Sequence, residues 1–339
     1  MSALSSNYIT LADVTKRQNP DKSMAAIVEM LAQMSPVARA GYAVMCNQLT
    51  RHRTTLRASI PSPTWVQFYD RITPTKSTTR QVEDTTGMLE NMTFIDERLY
   101  DITPDKAQLR LSESMAVLEG FAQTVETAFF YGNTATAPLQ FLGMAPRFGT
   151  ISGAENANQI IDGGGTGSTN TSIFGITWGP NTAHLLYPST IAGGVQREDM
   201  GRQKDQNSTG TLWGYEEKFR QHIGFAMVDW RYHFRICNID VNKLTSASAA
   251  DLVDLLITAM YRLPSRRGTT GFSSEGAPVS MKPTIYVNSR IKEALHKQLL
   301  RQPNGSLSKG EFFGEEVMTV MGMPILESDA IVNTETRVT

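Results

Sequence analysis

The feature that most constrains this 339-residue chain is a long polar segment between residues 50 and 105. Eleven of the chain's 36 threonines lie between residues 50 and 93, and threonine favours extended, pleated backbone. Two extended stretches, residues 51–65 and 76–90, are separated by a turn-rich region that contains proline. The pattern predicts a long β-hairpin that projects from the rest of the fold.

The charges of this segment are divided between its two limbs. Residues 51–80 carry a net charge of +5, and residues 81–105 carry a net charge of −6. The limbs can pair within the hairpin, or with the opposite limb of a neighbouring copy. Because an isolated two-stranded ribbon is marginal in water, we favour contact with a neighbour over a solvated hairpin. The residues predicted to make inter-subunit contacts are Arg51, Arg53, Arg57, Trp65, Lys76, Arg80, Glu83 and Asp84.

The first fifty residues predict two short helices before any large apolar segment. Ser23 suits an N-cap, apolar side chains recur at helical spacing over residues 24–34, and Pro36 disfavours continuation of the helix. The pair is interpreted as an arm, and an ordinary helical hairpin on the main core is an equal alternative.

The strongest helix prediction covers residues 111–131. Ser112 suits the N-cap position and Gly132 the C-terminal stop. A helix of this length, with a single apolar stripe, suits a position across a sheet. The stripe consists of Leu111, Met115, Leu118, Ala122, Val125 and Phe129.

Strands are predicted for residues 173–189, with a turn near Gly179, and for residues 225–240, where apolar and polar side chains alternate. The very polar residues 197–210 between them predict a loop. The last hundred residues predict a separate α/β unit. Its predicted elements are helices over 247–264 and 289–302, a strand over 284–288, and a strand–turn–strand over 317–332.

No catalytic, cofactor or metal site is predicted. The glycine run of residues 163–168 lacks the lysine and the following helix of a phosphate-binding loop. The five histidines are dispersed, and none pairs at ligand spacing. His184 and His233 fall in strand patterns, where hydrogen-bonded structural imidazoles are expected.

Composition excludes several classes of protein. A net charge of −1 argues against a free-standing nucleic-acid binder. Two distant cysteines argue against a disulfide framework and suggest a reducing environment. The sequence contains no run of about 18 apolar residues that would cross a membrane, and its first residues do not resemble a secretory signal.

The order of these elements and several long strings resemble the major capsid proteins of tailed double-stranded DNA phages, with the Hong Kong 97-type fold. Among these, the strings look like the capsid family of short-tailed phages typified by epsilon-15. The strings are HRTTLRASIPSPTW (52–65), KSTTRQVEDTTGMLE (76–90), RLSESMAVLEG (110–120), FFYGN (129–133, where the family has LFYGN), GMAPRF (143–148), IIDGGGTGS (160–168) and VDWRYHFRICNID (228–240).

The resemblance implies an α+β shell subunit with four parts. These are an N-terminal arm (1–49), an extended loop over a neighbouring subunit (50–105), a peripheral domain (106–240) with a spine helix (112–131), and an axial domain (241–339).

The resemblance further implies partners and a location. Copies would form hexamers and pentamers of an icosahedral shell, with scaffolding, portal and decoration proteins as further partners. The shell would enclose double-stranded DNA without sequence specificity, in the virion after assembly in the host cytoplasm. An accessory shell protein, such as a decoration or tail subunit, and an enzyme built on the glycine-rich loop are the competing hypotheses.

Overall fold

The computed structural model describes residues 35–191, 193–207, 210–244, 250–264, 270–272, 278–301, 307–312 and 315–339. The two helices predicted before Ser35 lie outside the described residues. Pro36 begins a short helix of its own, a position that suits proline because the first helical residue needs no amide hydrogen.

The described chain contains six α-helices and fifteen strands, which confirms the α+β class. The helices are α1 (Pro36–Ala40), α2 (Glu97–Ile102), α3 (Lys106–Tyr131), α4 (Met144–Arg147), α5 (Leu252–Arg262) and α6 (Ser289–Arg301). The strands are β1 (Ala43–Met45), β2 (Arg51–Ser59), β3 (Thr78–Asp96), β4 (Ile160–Asp162), β5 (Asn170–Trp178), β6 (Ala183–Tyr187), β7 (Val195–Asn207), β8 (Gly210–Met227), β9 (Phe234–Asp240), β10 (Thr270–Phe272), β11 (Pro278–Ser280), β12 (Lys282–Val287), β13 (Leu307–Phe312), β14 (Glu315–Val320) and β15 (Met323–Glu327).

These elements form two compact units. The first unit contains Gly87–Glu126 and Gly193–Ile223, together with Ser35. The second unit contains Pro36–Thr86, Thr127–Ala192 and Gly224–Thr339. The chain passes from one unit to the other within β3, β8 and α3.

The second unit is built on β5, which is buried along its whole length. It pairs antiparallel with β9 and with β12, and β12 pairs in parallel with β15. Because helices α5 and α6 place their apolar faces against these strands, a continuous core forms. Its members include Ile173, Phe234, Ile236, Leu252, Leu256, Ile285, Val287, Ile291, Leu295 and Ile325.

Aromatic side chains form a second cluster in this unit, at the end of α3. Phe129 packs on the ring of Phe225 at a centroid distance of 4.8 Å and stacks on Trp178 at 5.6 Å. The indole nitrogen of Trp178 donates to the hydroxyl of Tyr286 at 3.0 Å. The polar groups of Trp178 and Tyr286 therefore both have a hydrogen-bond partner, as buried polar groups require.

The prediction of a polar loop over residues 197–210 is wrong. Residues 197–207 lie in β7 and residue 210 begins β8, and the two strands pair antiparallel from Val195↔Gln221 to Asn207↔Gly210 in the first unit. The error has a physical cause. Most side chains of β7 are exposed or half-buried, so the strand lacks the apolar alternation by which strands are recognised.

Helix α3 begins at Lys106, earlier than the predicted start at Ser112. Asp105 caps it, since its Oδ1 accepts from the amide of Gln108 at 3.0 Å. The predicted apolar stripe is only half correct. Val125 and Phe129 are buried, but Leu111, Met115 and Leu118 are exposed, and Leu109, Ser114 and Phe121 are buried instead.

A buried carboxylate explains why α3 is rotated about its axis, so that residues outside the predicted apolar stripe face inward. In the first unit, Glu217 on β8 accepts from Arg110 Nε at 2.5 Å and from Ser114 Oγ at 2.9 Å, both on α3. Arg197 on β7 donates to the same carboxylate at 2.8 Å and 3.1 Å. Burial alone would raise the pKa of Glu217, but the hydrogen bonds and charges of these partners hold it below its ordinary value.

The strand prediction for residues 225–240 is partly wrong. The chain leaves β8 after Met227, makes a 3₁₀ turn at Trp230–Tyr232, and begins β9 at Phe234. The turn forms because Asp229 accepts from the amide of Arg231 at 3.1 Å. The alternation of apolar side chains runs through this turn, so it does not reveal the break.

Most of the elements predicted for the last hundred residues are confirmed. The two helices appear as α5 and α6, and the strand–turn–strand appears as β14 and β15. Residues 245–249, part of the first predicted helix, lie outside the described residues. Asn288 caps α6, since its Oδ1 accepts from the amide of Arg290 at 3.0 Å.

Candidate assembly interface

The predicted hairpin is present in the second unit. β2 and β3 pair antiparallel from Arg51↔Thr85 to Ser59↔Thr78, with one irregularity between Arg57 and Ser59. At the end of the ladder, the hydroxyl groups of Ser59 and Thr78 lie 2.7 Å apart. Residues 60–77 continue beyond the last pair without regular secondary structure and are exposed throughout.

The tip of this loop carries large apolar side chains that nothing in the described chain covers. Trp65, Phe68 and Tyr69 are at least 96% exposed, and Ile72 is 72% exposed. A turn holds the two central rings outward, because the amide of Gln67 donates to Asp70 Oδ2 at 2.9 Å. Contiguous exposed apolar side chains of this size mark interaction sites, and aromatic residues dominate the binding energy of protein interfaces.

The charged residues of the hairpin pair first with each other. Arg51 and Arg53 donate to the two carboxylate oxygens of Glu83 at 2.9 Å and 3.0 Å. Hydrogen bonds from Arg53 and Arg51 lower the pKa of Glu83. All three side chains remain partly exposed to solvent. Of the two pairings that the sequence allows, the one within a single chain is therefore present. Their predicted contact with a neighbour stays a prediction.

The remaining predicted contact residues occupy different positions. Lys76 lies in the exposed tip, and Arg57 lies opposite Thr79 in the ladder. Arg80 is 3.7 Å from Glu155 in an exposed ion pair. Asp84 differs from the others, since its side chain is only 5% exposed and its partner belongs to the same chain.

Asp84 fixes the root of the hairpin. Arg147 of α4 donates from Nη2 to Asp84 Oδ1 at 2.6 Å and to the carbonyl oxygens of Leu142 and Phe225, each at 3.3 Å. Asn47 adds a second attachment, because its amide side chain donates to the carbonyl oxygen of Arg53 and accepts from its amide. These contacts fix the base from which the loop projects.

Two histidines lie at the same root. His52 on β2 and His184 on β6 meet edge to face, with ring centroids 5.1 Å apart. The expectation of a hydrogen-bonded imidazole holds for His233, whose Nδ1 accepts from the amide of Thr177 at 3.2 Å. It is wrong for His184, because both of its ring nitrogens are buried without a hydrogen-bond partner in the described chain.

A buried charge network in the second unit is a feature that the sequence reasoning missed. Glu335 accepts from Arg235 Nη2 at 2.8 Å, from Ser172 Oγ at 2.5 Å and from the hydroxyl of Tyr131 at 2.5 Å. Arg235 also donates to the carbonyl oxygen of Phe148 at 2.8 Å. The network ties the C-terminal segment to β5, to β9 and to the end of α3. Burial raises the pKa of Tyr131, which stays protonated and donates.

The described residues contain no group of three His, Cys, Asp or Glu side chains placed to hold a metal ion. None of the helices in the described ranges is long and apolar enough to cross a membrane. The glycine run begins beside β4, where Gly163 and Gly165 donate to carbonyl oxygens of Cys237 and Asn238 at 2.8 Å and 2.7 Å. Because an added Cβ on Gly165 would lie 2.4 Å from Asn170 Oδ1, close packing explains that glycine.

Comparison with solved structures gives a full-length match. The chain is similar to a chain of the bacteriophage Epsilon15 structure, with 34% sequence identity, a TM-score of 0.77 and coverage of 100% of both chains. A weaker similarity links it to the capsid of bacteriophage JBD30, with 9% identity, a TM-score of 0.49 and coverage of 95% of this chain and 99% of that chain. No curated protein sequence matches this chain significantly.

Comparison with protein families gives a match over nearly the whole chain. The model of the family described as "Major capsid protein GP7" matches residues 19–339. The Hong Kong 97-type fold that the resemblance implied is thereby confirmed, together with a structural role in the virion. The chain belongs to the family of the major capsid protein GP7, whose members form the icosahedral shell of bacteriophages.

Proposed function

We propose that this capsid protein assembles as hexamers and pentamers whose copies are joined by the tip of the extended loop. The observation that carries the proposal is the exposed aromatic cluster of Trp65, Phe68 and Tyr69. A chain that leaves three large rings in water gains free energy only when another molecule covers them. A second copy is the partner that a shell supplies.

The geometry of a ring favours such a projecting contact. In a ring, each copy uses one surface to donate a contact and a different surface to receive one, so the interface is heterologous and closes when the rotation fits. A loop that extends from a firm base supplies the donating surface. The loop (50–105), peripheral (106–240) and axial (241–339) boundaries belong to this proposal, as do the predicted contact residues other than Asp84, which is buried against Arg147.

The proposal extends to what the shell contains and meets. It would enclose double-stranded DNA without sequence specificity, and the chain's net charge of −1 argues against a strong overall attraction to phosphates. Assembly would take place in the host cytoplasm with scaffolding, portal and decoration proteins. The protein would act through contacts with its neighbours in the shell, without a catalytic step.

The test compares assembly of the full chain with that of a tip variant. The variant W65S/F68S removes two rings that are at least 96% exposed, and L139S serves as the control, since Leu139 is an 88% exposed apolar side chain outside the loop. Electron microscopy and sedimentation velocity should show shells or capsomer rings for the wild type and L139S, but only small species for the tip variant.

Normal shells from W65S/F68S would contradict the proposed role of the tip. A wild-type chain that stays monomeric after its scaffolding and portal proteins are added would contradict self-assembly through this loop altogether.

A further inference from the structure

The root of the extended hairpin contains an unusual group of buried polar atoms. Five such atoms have no hydrogen-bond partner in the described chain: both ring nitrogens of His184, Nδ1 of His52, Oγ1 of Thr54 and Oδ2 of Asp84. They belong to β6, β2 and β3, which meet at the base of the loop. Buried polar atoms without partners cost free energy, so their concentration at one site calls for a role other than stability.

The two imidazoles are in direct contact. Their ring planes are inclined at 85°, and His184 is 1% exposed. His52 lies opposite Asp84 in the ladder. The charged groups at this contact are Asp84 from β3 and Arg147 of α4, which binds only Oδ1 of that carboxylate. The second oxygen of Asp84 thus remains available on the same side of the hairpin as His52.

Both rings are neutral near pH 7. Burial lowers the pKa of His184 to about 4, and the proximity of His52 contributes. Burial also lowers the pKa of His52, and the charge of Asp84 opposes part of that shift. Since these folded-state values lie below the ordinary value of 6.5, the stability of the contact is complete above pH 6.5 and is lost as the pH falls through the folded values.

We propose that the His52–His184 contact is a proton-operated catch that holds the extended loop at its root. On mild acidification one proton binds an imidazole nitrogen of His52, the ring next to the carboxylate. The imidazolium then turns toward Oδ2 of Asp84 and away from the neutral ring of His184. The root of the loop opens while β5, β9 and β12 keep their pairing. The use of this motion in assembly rests on the proposed function, but the proton step does not.

Hydrogen exchange of the unassembled full-length chain tests the catch. After correction for the intrinsic rates, protection of the β2 amides should fall by up to about tenfold per pH unit as the pH drops below 6.5 and His52 takes up one proton. Protection of β12 should stay constant over the same range. The variant H52F places a ring that cannot titrate at the position that takes up the proton, and its β2 protection should not depend on pH.

Two further variants keep the result interpretable. H52N should also abolish the pH dependence, and it applies if H52F does not fold. H296Q removes an exposed histidine and should behave like the wild type. A fall of protection in H52F and H52N equal to that of the wild type would overturn the proposal, as would constant wild-type protection of β2 down to pH 4. Because exchange is measured before assembly, failure of the proposed shell contacts would leave this result unchanged.

Discussion

The core of the second unit and its extended loop distribute the same residue types in opposite ways. In the core, Phe129 is 0% exposed, and the charges of Arg235 and Glu335 are paired out of water. In the loop, Phe68 is 96% exposed, and the ion pairs of Glu83 lie at the surface. The core is therefore stable by its own contacts, whereas the loop has surfaces that only another molecule completes.

Truncation of one phenylalanine in the core and of another in the loop should give the largest difference in the free energy of unfolding. F129A removes a ring packed against Phe225 and Trp178 and should lower the free energy of unfolding by about 3–5 kcal/mol. F68A, at the loop tip, should change it by less than about 0.5 kcal/mol. Denaturant unfolding of the unassembled chain measures both, and a loss of several kcal/mol in F68A would show that the tip packs on its own chain.

Breaking the buried charge network should also be severe. E335A leaves Arg235 buried without its carboxylate, and such a change costs about 3–5 kcal/mol. The matched control is E327A, since Glu327 pairs with Lys292 at 2.8 Å in a pair whose side chains are about 40% exposed. The control should cost about 0–1 kcal/mol. Equal losses in the two variants, measured by chemical denaturation, would contradict the account of the core.

Removal of the ion pair at the root of the loop should have an intermediate effect. D84A leaves Arg147 with the carbonyl oxygens of Leu142 and Phe225 as acceptors, so we expect a loss of about 1–3 kcal/mol. Proteolysis within residues 60–77 should become faster, because the base that holds the loop is weakened. An unchanged rate of cleavage would show that Asp84 does not position the loop.

Charge reversal on the hairpin should have the smallest effect on the unassembled chain. R53E/R57E opposes the pairing of Arg53 with Glu83, a surface contact, and its unfolding transition should match the wild type. Assembly should nevertheless fail if the basic limb meets the acidic limb of a neighbour, because small contacts are repeated in every copy. Shells at normal yield would contradict pairing between copies and leave only the pairing within the hairpin.

The sequence predicts the elements whose signals are local. Threonine content and proline placement locate the β2–β3 hairpin, and helical periodicity locates α5 and α6. The Arg235–Glu335 contact joins residues 100 positions apart, so no local pattern reveals it. The sequence does not predict β7, because its polar side chains give no apolar alternation. It also does not predict the rotation of α3, because that rotation depends on Glu217, which lies on a strand distant in sequence.

The candidate interface is predictable in position but not in detail. Trp65 is an expected contact residue, but the sequence does not show that Phe68 and Tyr69 project beside it, because exposure depends on the turn closed by Gln67 and Asp70. Asp84 belongs to the acidic limb by sequence. Only the fold shows that Arg147 removes it from the surface.

Hydrogen exchange of the unassembled chain and of assembled shells tests the central claim most directly. The account predicts that amides of residues 60–77 exchange rapidly in the unassembled chain and become strongly protected in shells, while β5 and β9 are protected in both. Rapid exchange of residues 60–77 in closed shells would contradict it, because the exposed rings of the tip would then have no partner in the assembled state.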